Sequence, residues 1–125
     1  MIMVTFPYDV ELERAALGVA MSPLTPRSSR RIVLGLPPGA FYNGHRRILF
    51  ITVRRLGGVP DPLLVRSHLL DANVQRRVHT ELLESIGAGI EGAAAAYAAR
   101  LITLMHRRRR IHELGRELTE LQEPA

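Results

Sequence analysis

A proline-free stretch near the C-terminus restricts the fold more than any other feature of this chain. Residues 90–121 contain no Pro and are rich in Ala, Leu, Arg and Glu. We therefore expect one helix of about 32 residues, roughly 48 Å long at about 1.5 Å per residue. The segment Gly87-Ala88-Gly89 precedes this helix and is expected to form a hinge. Apolar residues recur along the helix at a heptad-like spacing that changes phase at a run of four Arg.

The apolar stripe of this helix predicts a protein–protein interface. A helix this long cannot bury its whole apolar stripe against the small globular part formed by the residues before it, so its distal half needs a partner. The alternative is that the stripe belongs to the chain's own core. Antiparallel pairing of two copies would bring the acidic residues 113–123 towards Arg107–Arg110, which favours a salt-sensitive dimer through residues 100–121. The predicted interface residues are Leu101, Leu104, Ile111, Leu114, Leu118 and Leu121.

The rest of the chain predicts about five shorter helices. Asp9 and Ser28 are expected to cap the first two of them. No long segment alternates with the period of a strand. The fold class is therefore all-α, with a compact bundle of about five helices in residues 1–88 and a long projecting C-terminal helix in residues 89–125. The expected short helices span residues 10–21, 28–34, 43–56, 62–70 and 75–86.

Composition excludes several classes of function. The 125 residues include no Cys and no Lys, so all 17 basic residues are Arg. These absences remove disulfides, thiol nucleophiles, thiolate metal sites, the lysine of a P-loop and Schiff-base chemistry. The five His are not spaced as metal ligands, and no catalytic set can be assembled around any of them. We expect a non-enzymatic protein with no cofactor and no metal. No membrane span or signal peptide is predicted, so the cytoplasm is the default location.

The run Arg107–Arg110 allows three interpretations. In the first, the run is a solvated basic band whose side-chain stems cover apolar surface and whose charge is offset by Glu113 and Glu117 of a neighbouring helix. In the second, it contacts phosphate without sequence specificity and in a salt-sensitive way. In the third, it is a docking patch for an acidic protein. Four successive residues face every side of a helix, so at least one must lie near the apolar stripe. The heptad count assigns that position to Arg108, with Arg107 close by.

Four short motifs occur in order along residues 7–118. An acidic-x-acidic pattern leads into Leu-Gly, a Phe-Tyr pair precedes a His and a basic–apolar helix, a Gly-x-Pro-Asp turn follows in altered form, and a Tyr-Ala-x-Arg pattern opens the long helix. Together they resemble the N-terminal collar domain of the DnaB-type replicative DNA helicases. The residues that carry the resemblance are Glu11, Glu13, Ala16, Leu17, Gly18, Phe41, Tyr42, His45, Arg46, Ile48, Phe50, Gly58, Pro60, Asp61, Tyr97, Ala98, Arg100, Leu101 and Ile102.

The resemblance implies a non-catalytic module that acts in DNA replication by self-association. It implies a homodimer or higher oligomer, with a replicative helicase, a primase or a helicase loader as partner. The second helix of the family's collar hairpin is not included in the 125 residues, and their end at Ala125 fits either a complete small protein or a piece of a helicase. The alternative function is a free-standing basic helical protein that binds DNA weakly through Arg107–Arg110.

The resemblance also assigns structural roles to single residues. We expect His45 to hydrogen-bond the Phe41-Tyr42 loop and pin it to the core. Glu11 and Glu13 diverge by about 200° on a helix, which excludes a paired acid and base and favours capping and dipole roles. The expected structural signature consists of Glu13, Leu17, Gly18, Phe41, Tyr42 and His45.

Overall fold

The computed structural model describes residues 6–57 and 61–122 of the chain. The altered turn around Pro60 and the last acidic residue, Glu123, lie outside these ranges. Within them the structure has six α-helices, two short 3-10 turns and no strand, so the all-α prediction is confirmed. The helices are α1 (Val10–Met21), α2 (Arg27–Leu34), α3 (Gly44–Arg55), α4 (Pro62–Asp71), α5 (Arg76–Ser85) and α6 (Ala94–Gln122), and the 3-10 turns are Pro38–Ala40 and Glu91–Ala93.

Local hydrogen bonds explain where most of the shorter helices begin. The carboxylate of Asp9 accepts from the Leu12 amide at 3.0 Å, and that of Asp61 accepts from the Leu63 amide at 2.9 Å. The side chain of Asn43 accepts from the first amides of α3. The prediction of Ser28 as a cap is wrong, because α2 begins one residue earlier, at Arg27, after Pro26 and without a side-chain cap.

The proximal half of α6, residues 94–108, belongs to the core. It packs most extensively against α2 and α1, and it buries Ala98, Leu101, Leu104 and Met105. The long helix is therefore not a unit separate from the bundle: about half of it completes the bundle, and the remainder projects.

The segment predicted as a hinge lies in backbone contact with α1. Gly87 and Gly89 both have positive φ, at 75° and 87°. A Cβ at Gly18 would overlap the carbonyl oxygens of Ser85 and Ala88, and one at Gly89 would lie 2.6 Å from the Ala15 carbonyl oxygen. These glycines permit α1 to cross the segment at a distance that no side chain allows, so the segment is packed rather than free to bend.

Beyond Arg108, α6 leaves the body of the protein. Ile111 is half-buried, and residues 112–122 are all exposed. The helix has 29 residues and is therefore about 43 Å long. Among the residues that the structure describes, no helix is both long and apolar enough to cross a membrane.

Candidate protein-interaction surface

The projecting half of α6 carries a row of aliphatic side chains in solvent. Ile111, Leu114, Leu118 and Leu121 follow one another at intervals of three, four and three residues, which places them on one face of the helix. Leu114 is 41% exposed, Leu118 60% and Leu121 83%. Exposure therefore rises steadily as the helix moves away from the body.

An exposed aromatic cluster lies at the base of this row. The rings of Tyr8 and Tyr42 stack with centroids 4.6 Å apart, and Phe6 stacks on Tyr42 at 6.5 Å. Phe6 also lines the groove that runs along Ile111, Leu114 and Leu118. The aromatic cluster and the aliphatic row therefore form one apolar surface, which we call the α6 surface and define as Phe6, Tyr8, Tyr42, Ile111, Leu114, Leu118 and Leu121.

Arg108 holds the aromatic cluster in position. Its guanidinium donates to the carbonyl oxygens of Pro7 at 3.0 Å, Gly39 at 2.9 Å and Ala40 at 3.4 Å, and it lies 5.3 Å from the centroid of the Tyr42 ring. Burial lowers the pKa of Arg108, although Glu13 and Tyr42 oppose that shift. The heptad count placed Arg108 at the apolar stripe, and the structure buries it there. Its role is to join the N-terminal segment and the 38–40 turn to α6.

The other three residues of the arginine run differ from Arg108. Arg110 lies 3.4 Å from Glu113 and 3.8 Å from Glu117 of the same helix, in exposed pairs that contribute little to stability. The expectation that these carboxylates offset the run from a neighbouring helix is therefore wrong. Arg107 and Arg109 are exposed, and neither takes part in an ion pair among the described residues.

Two of the six predicted interface residues cannot face a partner. Leu101 is fully buried and Leu104 is 5% exposed, because the proximal half of α6 packs against α1 and α2. The heptad-like spacing occurs both in the core and in solvent, on either side of the phase change at the arginine run, so spacing alone does not reveal which part is covered. The part of the predicted stripe that remains available is Ile111, Leu114, Leu118 and Leu121.

A buried ion-pair network joins α1, α3 and α5. Glu13 is fully buried, and its Oε1 accepts from Arg46 Nε at 3.0 Å and from the Tyr42 amide at 3.1 Å. Arg46 also donates to Glu81 at 3.3 Å, and Arg14 donates to both oxygens of Glu81. Burial alone would raise the pKa of Glu81, but the hydrogen bonds and charges of Arg14 and Arg46 hold it below its ordinary value. The expected capping role of Glu13 is therefore wrong. Its carboxylate accepts hydrogen bonds from Arg46 of α3 and from the Tyr42 amide of the 41–42 loop.

The expectation for His45 is also wrong. Its Nε2 lies 3.0 Å from the side-chain oxygen of Gln75, near the surface and away from the 41–42 loop. The loop is held instead by Arg47, whose guanidinium donates to the carbonyl oxygens of Phe41 and Tyr42 at 3.1 and 3.2 Å, and by Glu13. Leu17 and Phe41 are fully buried, and the Phe41 ring stacks on Phe50 at 4.6 Å.

Comparisons with protein-family models, with curated proteins and with solved structures found no match for this chain. The resemblance to the helicase collar domain therefore depends on the motifs in the sequence. Within residues 6–57 and 61–122, no three His, Asp or Glu side chains are grouped as metal ligands.

Proposed function

We propose that this chain is a non-catalytic assembly module that pairs with a second copy of itself through the α6 surface. The observation that carries the proposal is the row Ile111, Leu114, Leu118 and Leu121, which projects into solvent on a helix whose other half is anchored in the core. In keeping with the motif resemblance, we assign the module to DNA replication in the cytoplasm, with a helicase, primase or loader as its further partner.

The exposed area supports a reversible pairing. The exposed fractions of Leu114, Leu118 and Leu121 amount to nearly two Leu side chains per copy. Burying them in both copies contributes about 6–11 kcal/mol at about 1.5–3 kcal/mol per side chain. Association costs about 4–15 kcal/mol in lost translational and rotational freedom. The aliphatic row alone therefore gives a weak dimer, and contact with the Phe6–Tyr8–Tyr42 cluster would strengthen it.

Charge favours the antiparallel arrangement of the two helices. When Ile111 of one copy lies opposite Leu121 of the other, Leu114 lies opposite Leu118, and every aliphatic residue has a partner. Arg109 and Arg110 then lie within about one helical turn of Glu120 of the second copy. In a parallel pair, the arginines of both copies would face each other. We therefore expect the dimer to weaken as salt screens these charges.

Sedimentation of the purified chain between about 1 and 300 µM tests the pairing. The parent should shift from monomer to dimer over this range. Leu118→Asp should remain monomeric, because it places a charge in the middle of the aliphatic row without disturbing the core. Leu83→Asp is the matched control: Leu83 is 70% exposed but lies on α5, so this variant should dimerise like the parent.

Two results would contradict the proposal. One is a parent that remains monomeric throughout the concentration range; the other is equal dimerisation of the parent and Leu118→Asp. Circular dichroism at 222 nm should show the parental helix content in both variants, so that loss of pairing is not confused with unfolding.

A further inference from the structure

A second groove lies where α6 leaves the body of the protein. Its volume is about 430 Å³, and three of the basic residues that line it are Arg109, His112 and Arg116. These residues follow one another at intervals of three and four positions, so they share one face of the helix. Phe6 and Tyr42 line the same groove. We call it the basic–aromatic groove and define it by these five residues.

The groove carries a net positive charge that a ligand can reach. Arg109 and Arg116 are exposed, and none of the ion pairs among the described residues includes them. Arg108 also lines the groove and adds a charge, although its donors are occupied by backbone carbonyls. One carboxylate, that of Glu113, lies in the lining and is 3.4 Å from Arg110. Three guanidinium groups against one carboxylate favour an anionic ligand.

The aromatic rings give the ligand a second property. Tyr42 is 40% exposed and Tyr8, which stacks on it, is 47% exposed, so both rings keep surface in solvent. Phe6 is half-buried beside Tyr42. Proteins that bind single strands combine a basic groove for the backbone with aromatic side chains for the bases. Bases in a duplex are already stacked on one another, so an exposed ring favours an unpaired strand.

We propose that the basic–aromatic groove binds single-stranded nucleic acid without reading its sequence. Arg109 and Arg116 are about 10 Å apart along the helix axis, and each guanidinium presents a fork of donors that fits a phosphate. Phe6 and Tyr42 contact the bases of the same short stretch of strand. With two phosphate contacts, the binding is weak and salt-sensitive.

The groove changes which arginines are expected to contact nucleic acid. Arg107 is two residues from Arg109, which places it about 200° away around the helix and outside the groove. Arg110 pairs with carboxylates of its own helix. Of the exposed residues of the run Arg107–Arg110, only Arg109 lines the groove, and its neighbour there is Arg116, which lies outside the run.

Binding in this groove does not depend on the proposed self-association. The groove adjoins the one along the aliphatic row, since Phe6 and Arg116 line both. Arg116, however, is two residues from both Leu114 and Leu118, and therefore about 200° from them around the helix. A second copy that covers the aliphatic row leaves the guanidinium groups accessible, and the monomeric variant Leu118→Asp should still bind a strand.

Fluorescence anisotropy tests the inference with a labelled oligothymidylate of about 12 nucleotides. It is titrated with the full chain and with Leu118→Asp at salt concentrations between about 50 and 200 mM. Two phosphate contacts predict that the logarithm of the binding constant falls with the logarithm of salt with a slope of about −1.4. Arg109→Gln/Arg116→Gln in the Leu118→Asp background should remove most of that slope.

Two further variants in the same background complete the test. Phe6→Ala should bind about 5- to 150-fold more weakly with an unchanged slope, the effect of losing one stacked base. The matched control is Arg66→Gln/Arg77→Gln, which removes the same charge from exposed positions on α4 and α5 and should bind like Leu118→Asp. Circular dichroism at 222 nm should show the parental helix content in every variant.

Each alternative outcome overturns the inference. Absence of binding at about 50 mM salt would show that the groove has no affinity for a strand, and equal effects of the two double variants would show attraction by net charge alone. An unchanged affinity in Phe6→Ala would exclude stacking. Tighter binding to a duplex of equal length or to an oligoglutamate peptide would assign the groove to a different partner, and loss of binding in Leu118→Asp would place the strand on the α6 surface.

Discussion

Replacing Arg46 by Met should be one of the most destabilising single changes in this protein. Arg46 is 3% exposed, and its guanidinium bonds to both Glu13 and Glu81. In Arg46→Met, Glu13 would remain fully buried with the Tyr42 amide as its remaining donor among the described residues. Its second oxygen, Oε2, already has no hydrogen-bond partner. The buried carboxylate would thus lose the charge that compensates it.

The expected loss in the free energy of unfolding is about 3–5 kcal/mol, the usual cost of removing one partner from a buried ion pair. This is a large part of the about 5–15 kcal/mol that stabilises an ordinary domain. Urea denaturation followed by circular dichroism at 222 nm measures it directly, and the midpoint should fall while the slope of the transition stays constant.

A double-mutant cycle with Glu13→Gln isolates the ion pair. Because Gln is neutral, the double variant should lose less stability than the two single variants together. Arg55→Met is the matched control, since Arg55 lies exposed on the same helix and its replacement should change stability by less than about 0.5 kcal/mol. A loss below about 1 kcal/mol in Arg46→Met, or strict additivity in the cycle, would refute the reasoning.

Three further predictions follow from other contacts. Gly18→Ala should lower the melting temperature strongly, because its Cβ would overlap the carbonyl oxygens of Ser85 and Ala88. Gly115→Ala lies in open space on α6 and should instead raise stability by about 0.5–1 kcal/mol. Equal melting temperatures for the two variants would contradict the close contact at Gly18. Arg108→Met should lower the free energy of unfolding, measured by thermal denaturation, by about 2–3 kcal/mol, because three hydrogen bonds to carbonyl oxygens are lost. Arg109→Met, the control, should change it by almost nothing. Similar losses in both variants would exclude the anchoring role of Arg108. The pKa of Glu81 is lowered in the folded state, so its contribution to stability is present above its ordinary value of 4.5 and is lost as pH falls through the lowered pKa. Urea titrations at several pH values should show that loss for the parent and a shallower one for Glu81→Gln, and identical profiles would contradict the assignment.

Features that depend on neighbours in the sequence were predictable. The cap of α1 depends on a carboxylate three residues from the amide that it bonds, and α6 extends as far as it does because its sequence contains no Pro. The heptad row identified the aliphatic residues of the α6 surface, and the count within it placed Arg108 of the arginine run at the apolar stripe, where the structure buries it. These features need only helical geometry, which spacing along the chain determines.

Tertiary structure alone decided which groups meet across the fold. Glu13 and Arg46 are 33 residues apart, and Glu81 is 67 residues from Arg14. The row from Leu101 to Leu121 has heptad-like spacing both inside the core and outside it, so the positions of α1 and α2 determine that Leu104 is buried and Leu118 is exposed. Helical periodicity specifies which face of a helix is apolar. What covers that face depends on how the helices pack, because burial depends on the volume that distant segments fill and not on the order of residues along one helix.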